Sequence, residues 1–158
     1  MKIKLMASEL KKWLDYNHET GALTWRKKPN RHIRIGDIAG TPKEGRVQIG
    51  IGGQHYRAHR LAWLHFYGKW PKHQIDHING NPSDNRIVNL RDVTSSINHQ
   101  NRRVASKRSI TGLLGVSPKR NKFMARIDHK HIGVYDTPEL AHAAYISVKR
   151  SRHAGNTL

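Results

Sequence analysis

Apolar positions recur at helical spacing in three stretches of the chain and alternate with polar ones in several more. In ASELKKWLDY, residues 7–16, Leu10, Trp13 and Leu14 share one face and Ser8 stands where an N-cap belongs, so a short amphipathic helix is predicted. Asn17 to Gly21 then reads as a turn and ALTW as a brief strand. The following RKKPNRHIRIG has no period and reads as a basic loop suited to phosphates. In RVQIGIGGQHYRAH, Val47, Ile49 and Ile51 alternate ahead of Gly52-Gly53, with Tyr56 beyond, the signature of a hairpin closed by a Gly-Gly turn. AHRLAWLHFYG spaces Leu61, Leu64 and His65, or Trp63 and Tyr67, as a second helix does. It stops at Gly68 with Pro71 beyond, and His59 and His65 fall within this scaffold.

Towards the C-terminus, LLGVSPKR, KFMARID and HIGVY read as three strands, the first two meeting around Asn121. TPELAHAAYISVKRSR is a well-marked helix: Thr137 as N-cap, Pro138 at N1, Glu139 in the first turn, and Lys149, Arg150 and Arg152 at the far end. Leu140, Ala144 and Val148 form its stripe, with Ala141 and Tyr145 alongside, a face able to cover one side of the sheet and leave the other side open. RRVASKRSIT, residues 102–111, has four positive charges and no period, as a linker would. The expected organisation is therefore a domain over 1–101, a basic linker over 102–110 and a second domain over 111–158.

The segment HQIDHINGNPSDNRIVNLRDVTSSINHQNR reads as a β-β-α unit. A strand runs into Asp76-His77, a turn follows, a second strand crosses Ile87–Val93, and a helix capped by Thr94 carries Asn98 one turn inside it. Neighbours in a flat strand point to opposite faces, so for Asp76 and His77 to serve one site the strand must bend or end there; Asn79-Gly80-Asn81-Pro82 supplies the turn residues. Phosphodiester hydrolysis needs a base for water and a cation for the charge building on phosphate and leaving oxygen. Neutral histidine is such a base, and Asp76 and Asn98 offer hard oxygen donors suited to Mg²⁺. A structural histidine held by hydrogen bonds fits the same residues.

Composition narrows the partners. The chain has 158 residues, enough for one ordinary domain or two small ones, and its 36% hydrophobic and 25% charged residues suit a folded protein with modest cores. Lys and Arg number 29 against 11 Asp and Glu, a formal charge of +18, with 17 basic and 8 acidic residues in 1–101 and 12 and 3 in 102–158. Such an excess attracts a polyanion whose counterions are released on contact, so nucleic acid is the expected partner, with a solvated surface or a packing protein as the alternative. Cysteine is absent, which excludes zinc-finger and zinc-ribbon readings. MKIKLMASELKK lacks the apolar core of a signal peptide and no run approaches the roughly 20 apolar residues of a membrane span, so a cytoplasmic protein without membrane partners is expected, in the host cell if phage-encoded.

IDHINGNPSDNRIVNLRDVTSSINHQNR resembles the HNH motif of phage and intron-encoded homing endonucleases, and the likeness extends upstream through AHRLAWLHFYGKWP, the Gly-rich hairpin and TGALTWR, covering roughly residues 15–103. The resemblance implies an α+β fold around a β-β-α-metal nuclease unit. His77 would be the general base, Asp76 and Asn98 the ligands of one Mg²⁺ or Mn²⁺, and Asn89 the brace that orients His77. Asn98 stands where other branches carry a final histidine, which disfavours Zn²⁺ and Ni²⁺. Asp84 and Arg86 fit a hairpin salt bridge or a substrate contact, Arg91 a phosphate contact, and Asn101 a contact to DNA or metal-bound water.

Residues 111–153 resemble the AP2-like DNA-binding domain, a three-stranded antiparallel sheet packed on one helix, through GVSPKRNKFMARI, IGVYDTPELAHAAYISVKR and the closing HAG. Pro118 and Phe123 depart from the aromatic and the Trp usual there. The resemblance implies that Lys119, Arg120, Lys122, Arg126 and Lys130 face DNA, with Arg102 and Arg103 of the linker as further contacts. Together these likenesses imply a monomeric endonuclease that nicks or cuts double-stranded DNA site-selectively, leaving 3′-hydroxyl and 5′-phosphate ends. The alternative is a non-catalytic DNA-binding regulator with a relic HNH unit.

Overall fold

The computed structural model describes residues 5–43, 45–153 and 155–157, so residues 1–4 of the N-terminal segment and the central Ala154 of HAG lie outside the described residues. The chain divides into two compact units, Met1–Thr94 and Ser95–Leu158. The division falls ahead of the expected boundary at 101, so the helix carrying Asn98 and the basic segment 102–110 both group with the second unit.

The first unit opens with helix α1 (Ala7–Trp13), which is shorter than the 7–16 expected because Leu14 begins strand β1 (Leu14–Tyr16) and pairs antiparallel with β2 (Leu23–Trp25). Leu10 and Leu14 are both fully buried, so helix and strand share one apolar face. Ser8 does not cap α1: it lies inside the helix, and Met6 occupies the N-cap without a side-chain bond. The Asn17–Gly21 turn closes on Asn17, whose Oδ1 accepts from the Glu19 and Thr20 N–H groups at 2.9 and 3.0 Å. Strands β3 (Thr41–Lys43), β4 (Arg46–Ile51) and β5 (Gln54–Arg57) form an antiparallel sheet in the order β3-β4-β5. The expected β4–β5 hairpin turns at Gly52 and Gly53, both at positive φ (58° and 75°), as a right-twisted two-residue turn requires. Strand β3 is an addition; its Pro42 is tolerated because the strand is an edge.

Helix α2 (Ala58–Tyr67) ends on Gly68 in the left-handed region, whose N–H reaches the Leu64 carbonyl at 2.9 Å. It buries two faces. Ala58, Leu61 and Leu64 join the main core with Leu10, Leu14, Leu23, Trp25, Ile49 and Ile51, while Ala62 packs with Ile75 and Leu90 of the next hairpin. That hairpin pairs β6 (Gln74–His77) antiparallel with β7 (Leu90–Val93). The second strand is shorter than the Ile87–Val93 expected. Ile87–Asn89 forms a single 3-10 turn, in which the Asn89 N–H donates to the Arg86 carbonyl at 2.9 Å.

The second unit contains α3 (Ser95–Gln100), β8 (Val116–Lys119), β9 (Lys122–Ile127), β10 (Lys130–Tyr135) and α4 (Pro138–Arg152). The three strands form an antiparallel sheet with β9 central, and α4 packs on one face of it. Thr137 caps α4, its Oγ1 accepting from the Leu140 N–H at 3.3 Å, with Pro138 in the first turn as expected. The buried row is Ala141, Tyr145 and Lys149, rotated from the predicted Leu140–Ala144–Val148 stripe; Leu140 is 54% exposed. Gly115 explains the rotation: a Cβ there would lie 2.1 Å from the Tyr145 ring, so the glycine makes room for that ring. Residues 102–110 form no helix or strand but are tied down, Arg102 O accepting from the Lys149 ammonium and the Arg103 guanidinium donating to Thr157 O at 2.7 Å. Among the described residues no helix is long and apolar enough to cross a membrane.

Candidate active site and basic face

Strand β6 delivers two buried polar side chains at its end, Asp76 (7% exposed) and His77 (8%). Their partners differ. Asp76 sits opposite Arg91 in the β6–β7 register, and the guanidinium donates to its Oδ2 from Nε at 2.9 Å and from a terminal nitrogen at 2.7 Å. His77 places its Nε2 3.1 Å from Asn85 Oδ1, and its ring meets the His59 ring edge-on, centroids 5.2 Å apart at 82°. Strand β6 ends at His77, as the turn residues after it require, and the Gly80 N–H bonds the His77 carbonyl at 2.8 Å.

The loop after β6 is held from inside by asparagines. Asn89 Oδ1 accepts from the Asn79 N–H at 2.9 Å, its Nδ2 donates to the Asp84 carbonyl at 2.8 Å, and its own carbonyl accepts from the Ile78 N–H at 2.9 Å. Asn79 Nδ2 donates to Asp84 Oδ2 at 2.8 Å, and Arg86 clamps the same carboxylate from two nitrogens at 2.8 and 2.6 Å. The Arg86 hydrogen bonds bring Asp84 down to a pKa of about 2. Asp84 and Arg86 are thus engaged with each other in the loop. Asp92 fixes the entry to β6 by accepting from the Lys72 and His73 N–H groups at 2.7 and 2.8 Å.

Burial dominates the electrostatics of the two histidines. It pushes the His77 imidazole below its usual value, against the opposing effects of the Asn85 hydrogen bond and the Asp76 charge. It pushes His59 further, to about 3, with His77 and nearby arginines adding to the shift. Two neutral rings therefore face each other at neutral pH.

The other expected residues lie in the second unit. Asn98 is half-buried on α3, none of whose residues is fully buried. Asn101, just past α3, is 5% exposed, and its Oδ1 accepts from the Thr157 hydroxyl. Gln100 Oε1 accepts from the Gly155 N–H at 3.0 Å, so this region is anchored to the C-terminal residues of its own unit. Exposed Arg102 donates from Nε to Val104 O at 3.0 Å.

On the sheet, the pairs Val116↔Ala125 and Pro118↔Phe123 lie on the helix side, which leaves Ser117, Met124 and Val134 on the open face. Lys119 and Lys122 pair there too, and Arg126 pairs with His131. Arg120 occupies the β8–β9 turn at φ 54°. Lys130 does not join this face: it pairs with Ile127, which is buried towards α4. The Lys122 ammonium lies 2.8 Å from the Asp136 carboxylate.

Residues 56–100 match a family described as HNH endonuclease. The match begins in β5, runs through the β6–β7 hairpin and ends in α3, under a third of the chain. Comparison with curated proteins and with solved structures returns no match. Residue type and order mark neither Asn85 nor the packing of His59 against His77. Asn85 was hidden in a turn-forming run, where asparagine is ordinarily exposed; only its burial reveals it.

Proposed function

We propose that the chain is a metal-dependent endonuclease of the HNH type that nicks or cuts double-stranded DNA. The observation that carries this reading is the buried Asp76-His77 pair at the end of β6, on a hairpin braced by Asn89 and lying inside the HNH match. In this reading His77 takes the proton from the attacking water, a role served by a neutral imidazole. Asn89 keeps the loop after β6 in place.

Asp76 and Asn98 are the proposed holders of one Mg²⁺ or Mn²⁺. Among the described residues no group of three or more His, Cys, Asp or Glu side chains is placed to hold a metal ion. The proposed donors, one carboxylate and one amide oxygen, fit an ion that commonly takes one or two carboxylates and completes its shell with water and phosphate. When bound, such an ion stabilises the charge on the phosphate and the leaving oxygen. Asp76 is buried, and the Arg91 guanidinium donates to its Oδ2.

The open face of the second unit's sheet, with Lys119, Lys122 and Arg126, is the proposed DNA grip. Arg120 at its turn, and Arg102 and Arg103 ahead of it, extend the basic surface, while Lys130, on the helix side of the register, is a proposed contact away from this face. A three-stranded sheet backed by one helix suits the AP2-like reading of this unit. Asn101, bonded to Thr157, supports the fold of this region and is a weaker candidate for DNA contact. The +18 charge supports a polyanionic partner.

One observation favours a second reading, a DNA-binding protein without cleavage: Arg91 already occupies the Asp76 carboxylate. Incubating the protein with supercoiled DNA and Mg²⁺, with and without EDTA, separates the two. Metal-dependent nicking supports the nuclease, and DNA binding without nicking across Mg²⁺ and Mn²⁺ supports the binder.

A further inference from the structure

Asn85 is only 6% exposed although it sits in a loop of turn residues, and the fold grips it from several sides. Its backbone carbonyl accepts from the Tyr16 hydroxyl at 2.7 Å, across 69 positions of sequence. A Cβ on Gly21 would lie 2.7 Å from the Asn85 carbonyl carbon and 3.1 Å from its nitrogen, so the Asn17–Gly21 turn lies flush against it. The Asn85 side chain then points its Oδ1 at His77 Nε2, 3.1 Å away.

An amide oxygen can only accept a hydrogen bond, so Nε2 carries the proton at this contact and a neutral ring has its lone pair on Nδ1. His59, in the first turn of α2, meets the same ring edge-on and limits its rotation. Asn89, expected to orient His77, has both ends of its amide on the loop backbone instead. The geometry points to Asn85 as a positioning residue that holds His77 in the Nε2–H tautomer and makes Nδ1 the proton-accepting atom. The role of Nδ1 rests on the reading of His77 as general base; the tautomer does not.

Long-range proton–nitrogen correlation spectra of the full chain, labelled with ¹⁵N-histidine and recorded where imidazole is neutral, read the tautomer directly. The wild-type protein is expected to show His77 with a protonated Nε2 and an unprotonated Nδ1. Asn85→Ala is expected to give a mixture of tautomers and to slow single-turnover nicking about tenfold to a hundredfold, with KM little changed. Asn85→Asp, which keeps an acceptor, is expected to retain the wild-type tautomer. A proton on Nδ1 in the wild type overturns the inference even if no variant folds, and so does an unchanged tautomer in folded Asn85→Ala. If the tautomer is as expected and His77→Ala still nicks DNA, the base reading fails while the tautomer assignment stands.

Discussion

Arg91 and Asp76 face each other across the β6–β7 pair, and both guanidinium contacts converge on one carboxylate oxygen, at 2.7 and 2.9 Å. The carboxylate is buried, and the arginine is the neighbour that keeps its charge tolerable there. Arg91→Ala should therefore lower unfolding stability by about 2–4 kcal/mol in urea titrations with EDTA present. Millimolar Mg²⁺ should recover part of that loss if Asp76 is a metal ligand, because a cation bound only to the folded state stabilises it. An Mg²⁺ response no larger than in the wild type argues against the ligand role.

Gly21 has two separate reasons to be glycine. Its φ is +77°, and a Cβ would come within 2.6 Å of the Arg86 nitrogen. Gly21→Ala should cost about 2–4 kcal/mol, combining left-handed strain with overpacking. Gly36 has φ +90° but nothing within 4 Å of a Cβ, so Gly36→Ala should show the strain alone, about 1–2 kcal/mol. Chemical denaturation of both variants measures the difference, and equal losses would remove the case for close packing against Asn85.

His59 makes stability depend on acid. Its pKa is near 3 when folded, while in the unfolded chain it takes the ordinary histidine value of about 6.5. Between those values the unfolded chain binds the proton and the folded one does not, so its contribution is present above about pH 6.5 and falls away as pH drops towards 3. Thermal melts across this window should show a steeper loss of Tm in the wild type than in His59→Gln. Parallel curves for the two proteins contradict the burial argument.

Much of the fold was legible where local and global signals agree. The Gly52-Gly53 turn demands positive φ at both positions, and the caps of α4 at Thr137 and Pro138 act through neighbouring atoms. Legibility failed where distant pairing decided the outcome. Leu14 fits the helical face of Leu10 and Trp13, yet pairing with Trp25 draws it into a strand. The α4 stripe rotated because Gly115, far away in sequence, opened space for Tyr145. At the site, Asp76, His77 and Asn89 stood out by residue type and order. Asn85 did not, because its importance lies in what Tyr16, Gly21 and His77 do around it.

The open sheet face makes a prediction about salt. If Lys119, Lys122 and Arg126 each neutralise a phosphate, the slope of log K against log salt should flatten by about 0.9 per contact removed. The triple alanine variant should therefore bind duplex DNA more weakly and with a slope shallower by nearly 3, measured by anisotropy titrations at several salt concentrations. An unchanged slope places the DNA elsewhere. Lys130→Ala, on the helix side of the register, should change the slope least.

In the proposed function His77 performs the chemistry and does not hold the DNA. Single-turnover nicking of a supercoiled plasmid in Mg²⁺, comparing wild type with His77→Ala and with duplex affinity measured on the same preparations, tests it most directly. His77→Ala is expected to lose about 100-fold or more in cleavage rate with affinity changed little, and neither protein is expected to cleave in EDTA. Undiminished metal-dependent nicking by folded His77→Ala would contradict it.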